Sequence, residues 1–558
     1  MGLASRRRYR WTRGRISDYW DEVFTSDGFV GHAALDDQSA FIAGLGSNRS
    51  PRMRDVLGTI QADQDAIIRA GSRGALVVDG GPGTGKTAVA LHRSAYLLHS
   101  DPRLGHRRGG VLFVGPHQPY LGYVAEGATA AVEADPHVAL LKSSANLVKA
   151  IETAVGFYEE PPTKGMTITT QWSDIRLSAD DWALAFEAAG PGAPHNEARD
   201  QIWEELLTIL VDEHDDDVPA DLLRKSLLQN RELLTTFDRA WPLLEAADVV
   251  GDLWSVPAYL RKCAPWLSPD DVSQLQRGDA QAWTVSDLPL LDAARQRVGD
   301  PEASRRKRRH DASVAAEREH MANVIDALLE ADDDGEGAVT MLRGQDIQDT
   351  LIDGTASPGT EPDLLAGPFA HIVVDGAQEL TDAEWQMLLL RCPSRSFTIV
   401  GDRAQARHGF TESWQERLER IGLDRINLAS LSINYRTPEE IMAEAEPVIR
   451  AVLPDANVPT SIRSSNAPVV HGSASDLSSI LDTWLAAHAD GIACVIGDPT
   501  FRTTSRVRSL PPELSKGLEF DLVALIDPEA FGKGIEGAVD RYVAMTRATQ
   551  QLVILTSS

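Results

Sequence analysis

The sequence contains Gly80-Gly81-Pro82-Gly83-Thr84-Gly85-Lys86-Thr87, which fits the pattern G-x-x-x-x-G-K-[ST]. Glycines at this spacing let backbone N–H groups turn inward around phosphate oxygens, and a following helix adds its positive N-terminal end. In this chemistry the Lys86 ammonium reaches the β and γ phosphates of a nucleotide, and the Thr87 hydroxyl binds Mg²⁺. A glycine turn before a helix also arises without a ligand. Here the apolar run Ala75-Leu76-Val77-Val78 precedes the glycines and a helical stretch over residues 87–98 follows, which is the context phosphate binding needs. The hydrated metal requires an acid on a neighbouring strand, and Ile372-Val373-Val374-Asp375 ends an apolar run with one. The plainer alternative for Asp375 is a strand-end cap.

These residues must be held by a sheet. Short apolar runs recur at residues 75–78, 111–114, 371–374, 397–400, 493–496, 522–526 and 552–555. Each reads as a strand buried on both faces, and their alternation with helical stretches predicts parallel sheets. Residues 51–70 read as a helix. Residues 125–365 are rich in Leu, Ala, Glu and Asp at helical spacing, as in Trp203-Glu204-Glu205-Leu206-Leu207. The expected fold class is therefore α/β, with two RecA-like parallel-sheet domains and a large, mainly helical insertion in the first. The boundaries expected are a remnant N-terminal segment at 1–50, the first domain at 51–124 and 366–430, the insertion at 125–365, and the second domain at 431–558.

Composition narrows the class. The 558 residues correspond to about three or four domains. With 43% apolar and 24% charged residues the chain reads as globular, and no apolar run approaches the roughly 20 residues that span a bilayer. Basic Arg6-Arg7-Arg8-Tyr9-Arg10-Trp11 is not followed by an apolar core, so no secretory signal is read and a cytoplasmic location is expected. Cys263, Cys392 and Cys494 lack metal-ligand spacing and read as core thiols. The net charge of −28 excludes a basic nucleic-acid coat. Charge blocks at residues 212–217, 305–309 and 332–336 read first as solvated faces or loops. A calcium loop from Glu330 is rejected, because its twelfth position is Met341, not an acid.

Seven segments in order then carry a resemblance: Gln64; the glycine loop; Val374-Asp375-Gly376-Ala377-Gln378; Val400-Gly401-Asp402-Arg403-Ala404-Gln405; Asn434-Tyr435-Arg436-Thr437; Lys516-Gly517-Leu518-Glu519-Phe520; and Val543-Ala544-Met545-Thr546-Arg547-Ala548. The series resembles the motifs of superfamily 1 helicases of the UvrD/Rep type and runs from residue 60 to the C-terminus. The resemblance implies ATP and Mg²⁺ as cofactors, with Gly80, Gly81, Gly83, Thr84, Gly85 and Lys86 around the phosphates and Thr87 and Asp375 at the metal. It implies that Gln64 bonds the adenine edge, that Tyr435 stacks on its face, and that Glu519 contacts the ribose. Arg436 and Arg547 would grip the γ phosphate from the second domain, and Gln405 would sense it. Lys86, Asp375, Gln405, Arg436 and Arg547 form the implied catalytic set.

One departure bears on turnover. The family places Glu directly after the metal-binding Asp, where it activates water, and this chain has Gly376. A positioned general base supplies about 10²–10⁴-fold in rate. ATP should therefore bind well and turn over slowly, and Gly376→Glu should raise the rate. Glu379 could substitute through a water.

Two features select a branch. Only residues 443–507 separate the Asn434 and Lys516 motifs, without the large extra domain of unwinding helicases, and the insertion lies in the first domain. Both resemble the HelD branch, the RNA polymerase-recycling ATPases of Gram-positive bacteria, with residues 80–98 and 349–405 most similar to its actinobacterial HelR type. The resemblance implies RNA polymerase core as partner and release from stalled or rifamycin-bound complexes. A chain at −28 suits the basic channels of a polymerase, and residues 332–336 could enter one. Residues 6–24 look like the segment that follows the family's N-terminal coiled-coil arm, so a shortened gene or an internal Met1 is expected. Two alternatives stand beside this reading: a 3′–5′ DNA helicase or translocase, and a nucleotide-gated binding protein with little hydrolysis. The DNA reading needs a basic track near Gly115-Pro116-His117-Gln118-Pro119-Tyr120, where no Lys or Arg lies between Gly110 and Val124.

Overall fold

The structure, a computed structural model, describes the backbone of residues 5–12 and 15–23, and then residues 62–104, 110–115, 131–190, 192–214, 218–302, 365–407 and 409–557. Residues 116–120, 215–217, 305–309 and 332–336, singled out above, lie outside the described residues, as does 51–61 of the expected first helix. β1 (Ser5–Thr12) and β2 (Arg15–Val23) pair as an antiparallel hairpin. The chain divides into two compact units, one of residues 1–116, 368–380 and 392–558, the other of residues 117–367 and 381–391.

The first unit holds two five-stranded sheets. One is built from β3 (Ala75–Gly80), β4 (Val111–Val114), β7 (His371–Asp375), β8 (Phe397–Gly401) and β9 (Ile426–Leu431), in the order β4-β7-β8-β3-β9 with every pair parallel. Val77 stands opposite Ile399 on one side and Leu428 on the other. All residues of β7 and β8 are buried, as their unbroken apolar runs require. The helix Lys86–Ser100 adds Val89 and Ala90 to a core with Ile67, Ile68, Val78, Val373 and Val400.

A two-residue pair, β10 (Ile433–Asn434) with β11 (Thr460–Ser461), leads into the second sheet. That sheet comprises β12 (Val470–Ser473), β13 (Ala493–Ile496), β14 (Val507–Leu510), β15 (Phe520–Ile526) and β16 (Ala548–Thr556), in the order β12-β16-β15-β13-β14, again all parallel. Its two faces form separate cores. Cys494, Ile496, Val523 and Leu525 pack with the helices Glu439–Arg450 and Gly534–Met545, while Ala493, Val495, Leu522 and Ala524 pack with Leu477–Ala487. The fold class is α/β with two RecA-like parallel-sheet domains. Within the two five-stranded sheets, the strands absent from the sequence reading are β9, β12 and β14, all edge strands. Each carries polar or half-exposed residues, so no continuous apolar run marks it.

The described residues of the second unit are mainly helical, with one antiparallel hairpin of β5 (Met166–Thr169) and β6 (Asp174–Leu177). One core gathers Ile151, Val250, Trp254 and Leu290, and another Trp182, Ile202, Leu206 and Phe237. Between elements of the first core lies a buried ionic cluster. Lys142 reaches Glu133 at 2.7 Å and Asp287 at 2.9 Å, and Arg277 also reaches Asp287 at 2.9 Å. The helix Asp382–Arg391 belongs to this unit, where Arg391 forms a buried bidentate pair with Asp292. All three cysteines are buried and unbonded to one another.

Candidate functional site

The glycine loop leaves the C-terminal end of β3 and turns into the helix Lys86–Ser100, whose N-cap is Gly85. Gly83 adopts φ +72°, and a Cβ on it would lie 2.0 Å from Asn434 Oδ1. Only glycine fits there, because both the backbone and the neighbour forbid a side chain. The Thr84 hydroxyl donates to the Gly81 carbonyl at 2.9 Å, closing the turn. Asp79, one residue before Gly80, accepts from Trp414 Nε1 at 2.9 Å and Asn457 Nδ2 at 3.1 Å, which fixes the strand end.

Lys86 Nζ folds onto the loop, donating to the Gly80 carbonyl at 2.5 Å and the Gly81 carbonyl at 2.8 Å. It lies 3.9 Å from Asp402. Burial lowers the Lys86 ammonium pKa, with Asp402 opposing the shift. Burial likewise raises the Asp402 carboxyl to about 6, against the pull of Lys86. Gln405 Nε2 donates to Asp402 at 2.6 Å, so the expected sensor is held by an acid beside the loop.

Thr87 Oγ1 donates to Asp375 Oδ2 at 2.7 Å. A hydroxyl and a carboxylate at the mouth of a phosphate-shaped loop form a hard oxygen donor set, which suits Mg²⁺. This donor set, beside the Lys86 ammonium and the glycine loop, fits a Mg²⁺-nucleotide. Among the described residues no cluster of three or more His, Cys, Asp or Glu suggests a different metal.

The segment after β9 closes over the loop. Tyr435 N donates to the Gly83 carbonyl at 3.0 Å. Asn434 is fully buried, and its Oδ1 accepts from Arg436 N at 2.9 Å and Thr437 N at 3.0 Å, which shapes the turn that presents Tyr435 and Arg436. Arg436 Nη1 donates to Glu519 at 2.7 Å, so two residues expected at different parts of a nucleotide are paired with each other. Arg547 is 3% exposed and bonds the Val543 carbonyl through Nε at 3.0 Å. Burial, then the nearby Arg436 charge, lowers its pKa. The Arg436 charge thus reaches Arg547.

Gln64 is buried, and its Nε2 donates to the Thr84 carbonyl at 3.1 Å. Its helix, Ala62–Arg69, is fastened by Arg93, which is fully buried. The Arg93 guanidinium donates to the carbonyls of Ile67, Ile68, Ala70 and Gly71 and to Thr398 Oγ1 at 2.7–3.1 Å. Sequence reasoning missed Arg93, because an arginine in an amphipathic helix reads as solvated. It also left Asp402, Asn434 and Lys516 without roles, although all three stand inside the quoted motifs.

Gly376 follows β7 with φ +80° and ψ +27°, and its N–H donates to the Val400 carbonyl at 3.0 Å. A Glu at this position would have to adopt the left-handed conformation, at about 1–2 kcal/mol. Glu379 ends the following short turn and is ion-paired with Lys516.

No family model matches the chain, and no curated protein matches it. Solved structures that resemble part of it include the PRRSV helicase, at 16% identity and a TM-score of 0.23 over 34% of this chain and 35% of that one. Arterivirus nonstructural protein 10, a helicase, resembles it at 17% identity and a TM-score of 0.21, over 33% of this chain and 38% of that one. The same viral protein in complex with DNA gives 18% and 0.21, with the same coverage. The chain thus spans between a third and two fifths of the length of these structures, and similarity at this level carries no argument about substrate.

Proposed function

We propose that the chain is an ATP-binding, helicase-like P-loop motor that acts on RNA polymerase core and promotes its release from stalled or inhibited complexes. The observation that carries the nucleotide part is the 2.7 Å contact of Thr87 with Asp375 beside a loop where Gly80, Gly81 and Gly83 leave no room for side chains of their own. Bound Mg²⁺ would supply charge neutralisation across the β and γ phosphates. Lys86 would exchange the Gly80 and Gly81 carbonyls for phosphate oxygens. Arg436 would leave Glu519 and join Arg547 at the γ phosphate, two guanidinium groups suited to the charge that develops there. Gln64 and Tyr435 would hold the base, and Gln405 would report the γ phosphate through Asp402.

The polymerase part is supported by the family resemblance and by the net charge of −28, which disfavours a bare nucleic-acid track and favours a basic protein channel. The test is a pull-down with core RNA polymerase and, separately, with a single-strand-tailed duplex, each with and without ATP. Nucleotide-dependent capture of polymerase is expected. Unwinding of the duplex without polymerase capture would replace this reading with that of a DNA helicase. Gly376 favours a second reading, a nucleotide-gated binder with little hydrolysis, and single-turnover ATPase measurement separates it from the first.

A further inference from the structure

The first sheet has a second feature at the N-terminal ends of its strands. A cavity of about 760 Å³ opens there, lined by Ser72–Gly74, Arg103, Leu104, Pro368–Ala370, 393–396 and 423–425. Four of these stretches immediately precede β3, β7, β8 and β9, so the cavity sits where the strands begin, whereas the glycine loop sits where β3 ends.

Four arginines reach this cavity, Arg73, Arg103, Arg395 and Arg425. Arg103 is paired with Asp101. Arg73, Arg395 and Arg425 are exposed, and their guanidinium groups have no hydrogen-bond or ion-pair partner among the described residues. Among the described residues, the only acid in the lining is Asp424. In a chain with 28 more acids than bases, three unpaired guanidinium groups around one cavity are a local inversion of charge. Arg395 is moreover held at φ +54°, a conformation that a non-glycine residue enters at a cost.

A hydrogen-bonded network underlies the cavity. Ser72 bonds Asp101, and Arg103 bonds Ser72. Ser396 Oγ donates to the Ser72 carbonyl, His371 Nδ1 bonds Ser396 Oγ at 2.8 Å, and His371 Nε2 bonds Thr398 Oγ1 at 2.9 Å. Arg93 completes the chain at Thr398. Ser72, His371, Ser396, Thr398 and Arg93 are all buried. A connected, satisfied polar network beneath a cavity fixes the groups that line it. Burial keeps His371 neutral, with its pKa lowered to about 3, so His371 adds no charge beneath the cavity.

We propose that this cavity binds a phosphate-bearing small molecule, with Arg73, Arg395 and Arg425 on the phosphate and Phe369 and Leu423 against its organic part. The volume falls within the range of small-ligand sites, and guanidinium forks match phosphate oxygens. The proposal does not rest on the nucleotide reading of the glycine loop.

The test uses the full chain carrying Lys86→Ala, which disables the glycine loop, titrated calorimetrically with AMP and separately with inorganic pyrophosphate. Saturable one-to-one binding that weakens with salt is expected, and AMP against pyrophosphate distinguishes an organic from an inorganic source. Adding Arg73→Gln, Arg395→Gln and Arg425→Gln should weaken it at least tenfold and abolish the ligand-induced rise in melting temperature. The competing role for these arginines is to offset the negative ends of the helices Lys86–Ser100 and Trp414–Ile421, which stop just before Leu104 and Leu423. In that case the triple variant melts lower and neither phosphate binds its parent, which overturns the proposal. Binding of a single-stranded oligonucleotide while both small phosphates fail also overturns it. If the triple variant does not fold, Arg73→Gln and Arg425→Gln separately decide, each expected to weaken binding severalfold. Survival of ATP binding in Lys86→Ala would count against the glycine-loop reading alone.

Discussion

The Thr87 hydroxyl donates to the Asp375 carboxylate across 2.7 Å, joining the first turn of one helix to the end of a strand that comes 288 residues later. Each member of this pair would have to rotate its oxygen toward a cation. Thr87→Val and Asp375→Asn should each weaken Mg²⁺-dependent nucleotide binding by about tenfold or more, roughly 1.4 kcal/mol, while Mg²⁺-free binding changes little. Fluorescent-nucleotide titration with and without the metal measures the difference.

Gly376→Glu sets two effects against each other. The left-handed backbone should cost about 1–2 kcal/mol of stability. The new carboxylate should raise kcat by about 10²-fold or more if a missing base limits turnover. Thermal unfolding and steady-state ATPase assays on the same preparation read both. Unchanged kcat would mean that the original chain already has its base.

Arg93→Met should destabilise the first unit by about 3 kcal/mol or more, because four carbonyls and Thr398 lose a charged donor in a buried position. The helix carrying Gln64 is tied by those carbonyls, so base selectivity should fall as well. Comparing ATP with GTP binding checks this second effect.

Asp402 should give the protein a pH signature. Its carboxyl titrates at about 6 when folded, above the ordinary 3.8. The folded state therefore holds an extra proton between about pH 4 and pH 6. Its stabilising contribution is complete below pH 4 and is lost as pH rises through 6. Asp402→Asn should remove that loss, of the order of 2–3 kcal/mol. The difference in melting temperature between the two chains, measured from pH 4 to pH 7, should grow in favour of the variant as pH rises.

In the helical unit, Lys142→Met should cost about 3–5 kcal/mol, since it leaves Glu133 and Asp287 with only part of their compensation in a buried setting. Replacing Lys142 and Glu133 together should recover part of it, as a denaturant melt would show.

What the sequence made legible was local or strongly patterned. The glycine loop, Lys86 and Thr87 form one contiguous string, and Asp375 ends a strand buried along its whole length. The central strands of both sheets announce themselves because helices cover both of their faces. Edge strands such as Ile426–Leu431 and Val507–Leu510 do not, since half-exposed positions break the apolar run. Partnerships across the fold were also hidden. Nothing near Glu379 points to Lys516, and nothing near Arg436 points to Glu519, because those pairings depend on how the strands return. Arg93 went unnoticed for the opposite reason, its residue type arguing for solvent where its neighbours supply five acceptors.

The position of β3 has a consequence for synthesis on the ribosome. Both of its hydrogen-bonded neighbours, β8 and β9, begin after residue 396, whereas β3 itself starts at residue 75. The strand that carries the glycine loop emerges early and must wait for roughly 320 further residues before it can pair, about 15–65 s at ordinary elongation rates. During that interval an apolar segment without its sheet is exposed to aggregation and to chaperones. The helical unit is made within the same interval from its own cores, so it can be complete before the sheet it interrupts exists.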